Sequence, residues 1–306
     1  MSSRNDLLVI TGPTASGKTA LAAEVASRLN GEIISADSRQ VYRHMNLGTG
    51  KDYDDYLVNG KKVPYHLIDI VDPGHRYNVF EYQRDFINAY SDIIARKKFP
   101  VVCGGSGMYL DSVVSGYRLL EVPPDERLRQ ELEGKPMDEL VEMLSAFKRL
   151  HNQTDIDSKK RVVRAIEIEL FYDKTNPGER YFPDFNSVVI GVAPDRETRR
   201  ERISSRLAAR LDNGMIDEVR QLLESGIDSE TLIYYGLEYK FITLYLLGLM
   251  TREEMFHDLE IAIHQFAKRQ MTWFRGMERK GIKINWIDAS LPLDSKVDLV
   301  LGFLGR

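Results

Sequence analysis

Eight consecutive residues, Gly12-Pro13-Thr14-Ala15-Ser16-Gly17-Lys18-Thr19, spell G-x-x-x-x-G-K-T. This pattern serves to hold a diphosphate or triphosphate group. Glycines let successive backbone N–H groups turn toward one anion, and a helix beginning at the same place aims its positive dipole end there. Lys18 adds a full charge, and the Thr19 hydroxyl is of the kind that ligates Mg²⁺. Residues 12 to 19 are therefore the expected diphosphate- or triphosphate-binding set, with Thr19 the expected metal position. The flanks suit this reading. Leu7-Leu8-Val9-Ile10 is an apolar run of buried-strand length, and Ala20-Leu21-Ala22-Ala23-Glu24-Val25-Ala26 is rich in helix formers. A glycine-rich turn that binds nothing is the plain alternative, and the strand–loop–helix context speaks against it. The loop does not say which molecule is held or what is done to it.

The elements that must position this loop read as an alternating α/β chain. Gly31 reads as the stop of the first helix and residues 32–37 as a second strand, which places Asp37 at that strand's carboxyl end. In open α/β sheets this is the edge where ligands bind. Residues 51–62 read as a loop or small excursion, 67–70 as a short strand and 79–95 as a helix. Residues 99–103 form another strand, closed by Gly104-Gly105-Ser106-Gly107. Strands alternating with helices predict a parallel sheet with helices on both faces. From Pro123-Pro124 to about Phe171 the strand pattern stops. Residues 128–132, 137–150 and 159–171 read as helices, and Asn176-Pro177-Gly178 and Phe182-Pro183-Asp184 mark a loop. A strand at 187–192, long helical patterns at 196–223 and 252–276, and a last strand at 283–287 follow. The expected organisation is an α/β core at 1–117, a helical insertion at 118–185, and the rest of the core with C-terminal helices at 186–306.

A chain of 306 residues can bury a sizeable core. Its 43% hydrophobic and 29% charged residues are ordinary for a soluble globular protein. The single cysteine, Cys103, excludes an internal disulfide and a cysteine-pair zinc site, and its apolar run makes it a buried strand residue rather than a nucleophile. No signal-peptide layout precedes the first strand, and the longest apolar stretch, 241–247, is too short to span a bilayer. A cytoplasmic protein that avoids membranes is expected, with a monomer as the default state. A net charge of −4 argues weakly against a nucleic-acid partner. The basic residues nevertheless cluster at 159–164, 196–210 and 268–283, and local patches matter more for docking than the sum. Solvated helix faces are the plain alternative for each cluster.

Three classes of phosphate-loop protein compete. A kinase or ATPase uses the loop for a nucleoside triphosphate. A regulatory GTPase requires an Asn-Lys-x-Asp element, which is absent. A group transferase holds pyrophosphate there as a leaving group. The loop leaves the first and third open, and the residues around it choose. With its Gly-Pro-Thr-Ala-Ser-Gly-Lys-Thr loop, the sequence resembles the tRNA dimethylallyltransferase (isopentenyltransferase) family. Further matching blocks are Glu32-Ile33-Ile34-Ser35-Ala36-Asp37-Ser38-Arg39-Gln40-Val41-Tyr42, Met45-Asn46-Leu47-Gly48-Thr49-Gly50-Lys51, His66-Leu67-Ile68-Asp69-Ile70, Gly104-Gly105-Ser106, Arg161-Val162-Val163-Arg164-Ala165-Ile166-Glu167 and Ala267-Lys268-Arg269-Gln270-Met271-Thr272-Trp273-Phe274-Arg275. They are collinear from about residue 7 to 287. Gly50 stands where bacterial members usually carry Ala, Ser106 where they carry Thr, and Leu237 where a Tyr is common. The insertion is short, and residues 173–185 are unlike the usual text. These departures point to a divergent bacterial subfamily.

The resemblance implies a P-loop NTPase-like fold and transfer of a dimethylallyl group from its diphosphate to N6 of an adenine beside the anticodon, at tRNA position 37. The partners implied are dimethylallyl diphosphate and the anticodon stem-loop of tRNA, and the cofactor is Mg²⁺. Asp37 matches the catalytic aspartate; a Mg²⁺ ligand or a helix cap is its alternative reading. Arg206 matches the second catalytic position, with Arg202 as the fallback and an exposed helix arginine as the alternative. Lys18 and Thr19 complete the catalytic set at the leaving group. Asp37, Ser38, Arg39, Gln40 and Ser106, together with Lys160, Arg161, Val162, Val163 and Arg164, match tRNA-contacting positions. The helical insertion is the expected grip on the anticodon arm, and spacing does not assign Lys268, Arg269 or Arg275. A nucleotide or metabolite kinase, a prenyltransferase acting on free AMP or ADP, and a silent RNA-binding paralogue are the competing functions.

Overall fold

The computed structural model describes residues 6–147, 156–175 and 182–306. These fall into two compact units, one spanning Met1–Tyr117 with Pro183–Arg306 and the other Arg118–Phe182. The expected last turn of the 137–150 helix and the loop at Asn176-Pro177-Gly178 lie outside the described residues.

The larger unit is built on six parallel strands: β1 (Leu7–Thr11), β2 (Gly31–Ser35), β5 (Tyr65–His66), β6 (Phe99–Gly104), β7 (Ser187–Ala193) and β8 (Ile284–Asp288), in the order β5-β2-β6-β1-β7-β8. A two-residue hairpin, β3 (Leu57–Val58) with β4 (Lys61–Lys62), stands apart. Every residue of β1 and β2 is buried, as a parallel sheet covered on both faces requires. Around it lie α1 (Lys18–Arg28), α2 (Val79–Ala95), α3 (Gly107–Val114), α7 (Arg196–Asp212), α8 (Met215–Glu224), α9 (Ser229–Tyr235), α10 (Leu237–Leu246), α11 (Arg252–Arg279) and α12 (Leu293–Phe303). Among the described residues no helix is long and apolar enough to cross a membrane.

Register explains how the loops converge. Thr11 pairs with Gly104 on one side and Gly191 on the other, and Ser35 pairs with Cys103. The carboxyl ends of β1, β2 and β6 are therefore level, and the turns that follow them open at one edge. Gly104 is needed there, because a Cβ on it would lie 2.2 Å from the Ala36 carbonyl oxygen. The Ala36 amide donates to Cys103 and its carbonyl accepts from Ser106, which ties the two strand ends together.

Several boundaries differ from the sequence reading. The strand expected at 67–70 is Tyr65–His66 instead. Leu67 and Asp69 have φ +62° and +56°, left-handed values that no strand accepts. Lys51 Nζ binds Asp69 at 2.5 Å, and Tyr53 donates to the same carboxylate. Gly31 does not stop α1; Asn30, with φ +52°, makes that turn, and Gly31 opens β2. The single helix expected at 196–223 is two, parted at Gly214 with φ +94°. The third insertion helix runs on to Thr175.

The smaller unit contains α4 (Glu126–Glu133), α5 (Met137–Phe147) and α6 (Lys159–Thr175), which share a core of Leu132, Leu140, Leu144, Val162, Val163, Ala165 and Ile166. Glu167 is buried beside it. It accepts from Nε and Nη2 of Arg129, each at 3.0 Å, from the Asp125 amide at 2.6 Å, and from Arg164. Burial alone would raise its pKa, but Arg129, that amide and Arg164 outweigh burial and hold it below the usual glutamate value. A depressed carboxyl stabilises the fold above its unfolded pKa and loses that contribution as pH falls through its folded one. Glu167→Ala strands two arginines and costs this unit about 3 kcal/mol. Urea unfolding at pH 7 measures the loss, and the wild type should move toward the mutant on acidification below the ordinary glutamate range.

Candidate functional site

The level strand ends surround a cavity of about 840 Å³ in the larger unit. The 12–19 loop turns from β1 into α1, with Gly17 at φ +78° just before Lys18. Gly12 has room for nothing more, since a Cβ would meet the Val192 carbonyl oxygen at 2.2 Å. Thr14, Ala15, Ser16, Gly17, Lys18 and Thr19 all line the cavity. Burial lowers the Lys18 pKa, with Cys103 and Asp37 opposing. Arg206 of α7 reaches the loop and donates to Thr14 Oγ1. Its own pKa is pushed down to about 10, first by burial and then by Arg210.

On the other wall Asp37 lies two residues beyond β2. Its Oδ1 accepts the amides of Arg39 at 2.9 Å and Gln40 at 3.3 Å, closing a tight turn. The other carboxyl oxygen makes no hydrogen bond among the described residues. Ser106 Oγ accepts the Ser38 amide at 2.9 Å and donates to Ser38 Oγ at 3.3 Å, so the turns after β2 and β6 are joined. Gln40 is committed internally, accepting from Ser35 and donating to Gly50. Cys103 is buried in β6, with its pKa raised to about 11 by burial. It is a strand residue, as expected, and is far from a reactive thiolate.

Of the α6 positions expected to contact tRNA, Val162 and Val163 turn inward and Arg164 is partly exposed. The two valines are 0% and 4% exposed in the core of the smaller unit, because α6 needs an apolar stripe to pack. Arg164 is spent on Glu167 and the Val122 carbonyl. Lys160 and Arg161 are exposed on the same helix. Of the three unassigned cations on α11, only Arg269 lines the cavity; Lys268 and Arg275 do not. Arg202 lines it beside Arg206.

Several residues of the cavity wall were not assigned from sequence. Gln270 is buried on α11, where its Oε1 accepts the Thr14 amide at 2.8 Å and its Nε2 donates to Gly105 at 2.9 Å. It therefore clamps the phosphate loop to the turn after β6. Gln270→Leu leaves a donor and an acceptor unpaired and should cost about 2 kcal/mol in urea unfolding, together with weaker pyrophosphate binding. Glu218 of α8 takes the amides of Asn46, Leu47 and Gly48 and the Tyr239 hydroxyl, which fixes the segment before Gly50. Gly50 itself has φ +70°, a left-handed value that strains the usual alanine, and a Cβ there would also displace the tip of Arg210, whose Nη2 lies 2.6 Å away. Arg210 binds Asp52 at 3.1 Å. Glu238 lines the cavity near both arginines, with its pKa raised by burial. Gln270 and Gly50 stood inside recognisable blocks, whereas Glu218 carries no local pattern.

A phosphate loop at the carboxyl edge of a parallel sheet, facing a carboxylate across one cavity, defines a phosphate-loop α/β protein. The chain matches the family model described as IPP transferase over residues 40–277, and one described as isopentenyl transferase over residues 5–68. It is 61% identical to tRNA dimethylallyltransferase 2 of Phocaeicola vulgatus over 98% of this chain and 97% of that protein. It is 61% identical to the protein of the same name in Bacteroides fragilis over 96% of each. The crystal structure of the full-length tRNA isopentenylpyrophosphate transferase from Bacillus halodurans superposes with a TM-score of 0.71 at 32% identity, covering 99% of this chain and 97% of that one. The chain belongs to the IPP transferase family.

Proposed function

We propose that this protein transfers a dimethylallyl group from dimethylallyl diphosphate to N6 of adenosine 37 in tRNA, releasing pyrophosphate. One observation carries the reading: Lys18 and Arg206 at the loop and the Asp37 carboxylate across from them open onto the same cavity. The allylic C1–O bond breaks and its electron pair leaves on the diphosphate oxygen, where the loop amides, Lys18 and Arg206 stabilise the growing charge. The adenine N6 forms the new bond to C1 and gives its proton to the free oxygen of Asp37. Ser106 and Ser38 hold the turn that carries Asp37.

Mg²⁺ fits the loop. Thr19 lines the cavity, and Ser16 Oγ is buried without a partner among the described residues. Mg²⁺ needs only one or two protein ligands beside phosphate oxygens and water. When bound, it neutralises charge on the diphosphate.

An adenine inside an anticodon loop reaches such a cavity only when flipped out of its stack. Asp37, Ser38, Arg39 and Ser106 are the contacts near the base, and the helical unit, through exposed Lys160 and Arg161, grips the anticodon arm. The protein acts as a monomer in the cytoplasm, where tRNA is. Incubation with labelled dimethylallyl diphosphate, Mg²⁺ and unmodified tRNA should place label on the adenine beside the anticodon. Label on AMP or ADP alone makes it a free-nucleotide prenyltransferase. ATP turnover without prenyl transfer makes it a kinase.

A further inference from the structure

Three side chains at the rim of the cavity serve neither the diphosphate nor the proton transfer: Arg39, Arg76 and Tyr234. Tyr234, in the last turn of α9, has 49% of its surface exposed, while Tyr235, which ends the helix, is buried at 3%. The Arg76 guanidinium lies 5.1 Å from the centre of the Tyr234 ring. That of Arg39 lies 5.9 Å from the same ring and 5.7 Å from the ring of Tyr235. Among the described residues neither guanidinium forms an ion pair or a side-chain hydrogen bond.

The cluster is held in place from beneath. The Tyr235 ring packs on Tyr42 with centres 4.5 Å apart. Its hydroxyl accepts the Gly74 amide at 2.6 Å and donates to the His75 carbonyl at 3.5 Å. The turn that carries Arg76 is thereby pinned to the helix end that carries Tyr234. Arg39 and Tyr235 line the cavity, so the exposed ring and its two cations continue directly from the wall that holds Asp37.

We propose that Tyr234, flanked by Arg39 and Arg76, is a stacking platform for an unpaired nucleotide of the RNA next to the reacting adenine. The inference rests on the RNA reading above and extends its contact surface. A flat ring and guanidinium planes are surfaces on which any base stacks, and two unpaired cations beside them suit the phosphates on either side of that base. Flipping the target adenine breaks its stacking on both neighbours, and a platform at the cavity rim replaces one of those contacts.

The test uses the full-length protein and an anticodon stem-loop carrying 2-aminopurine on the 5′ or the 3′ side of the target adenine. Stacking quenches this base. One of the two probes should be quenched on binding to the wild type and released by Tyr234→Ala. Tyr234→Ala should weaken binding, read by anisotropy, about 10-fold, with its thermal midpoint held. Tyr234→Phe should restore both signals, because the ring and not the hydroxyl is used. Arg76→Ala should lower the salt dependence of binding by about one phosphate contact. Equal affinity of wild type and Tyr234→Ala, or failure of Tyr234→Phe to rescue, overturns the platform. A wild type that binds the stem-loop but transfers no prenyl group defeats the functional reading instead and leaves the platform to be judged by the quenching.

Discussion

Asp37→Asn should slow transfer to tRNA by roughly two or more orders of magnitude, the loss expected when a positioned base is removed. The choice of asparagine matters. Oδ1 of Asp37 accepts two backbone amides, those of Arg39 and Gln40, and the asparagine carbonyl can do the same. The turn then survives and only the proton acceptor is lost. Asp37→Ala removes both functions, so it should be slower still and should also weaken RNA binding through Ser38 and Arg39. Single-turnover rates at saturating RNA separate the two effects. An asparagine variant that turns over near the wild-type rate would leave Asp37 as a turn-former and send the proton elsewhere.

Arg206→Ala should cut kcat/KM for dimethylallyl diphosphate on the order of 100- to 1,000-fold, the range seen when a donor to developing negative charge is removed. Arg206→Lys should recover only part of this, because an ammonium lacks the planar fork that meets two oxygens together. The arginine is pre-placed by its bond to Thr14 and is half-buried. With a pKa lowered to about 10, it stays charged at neutral pH. Lys18, lowered by its own burial, moves in the same direction. Diphosphate needs the charged forms, so its affinity should fall as pH rises toward 10, where Arg206 loses its proton earlier than a free guanidinium would. Competition by pyrophosphate across this range measures it. An Arg206→Ala enzyme within a few-fold of wild type would remove the residue from the reaction.

The phosphate loop and Asp37 were legible because their chemistry is local: eight residues fix the loop, and a strand end fixes the carboxylate. The α/β alternation was legible for the same reason, since apolar runs such as Leu7-Leu8-Val9-Ile10 are long enough to identify themselves. What escaped depends on partners far along the chain. Leu67-Ile68-Asp69-Ile70 alternates like a strand, but Asp69 is held by Lys51 and Tyr53, and the backbone follows that grip. Helical periodicity runs through Gly214, so the break there is invisible without its φ. Val162 and Val163 sit between basic residues, and only the packing of α6 shows that they turn inward. Gln270 lay in a recognised block, but its partners are Thr14 and Gly105, and no spacing rule links residues that distant.

The strand order also dictates a sequence of events during synthesis. β1 emerges first, yet its two neighbours are β6 and β7; Leu7 must wait for Ser187. Until then the central strand of the sheet has an open apolar edge, the kind of surface that recruits the wrong partner. The helices of the smaller unit follow one another directly, and their contacts are local, so they can pair while β7 is still being made. The diphosphate loop, which hangs from β1, thus acquires its final setting only late in translation. Refolding of the purified chain should be limited by closure of the sheet and not by helix formation.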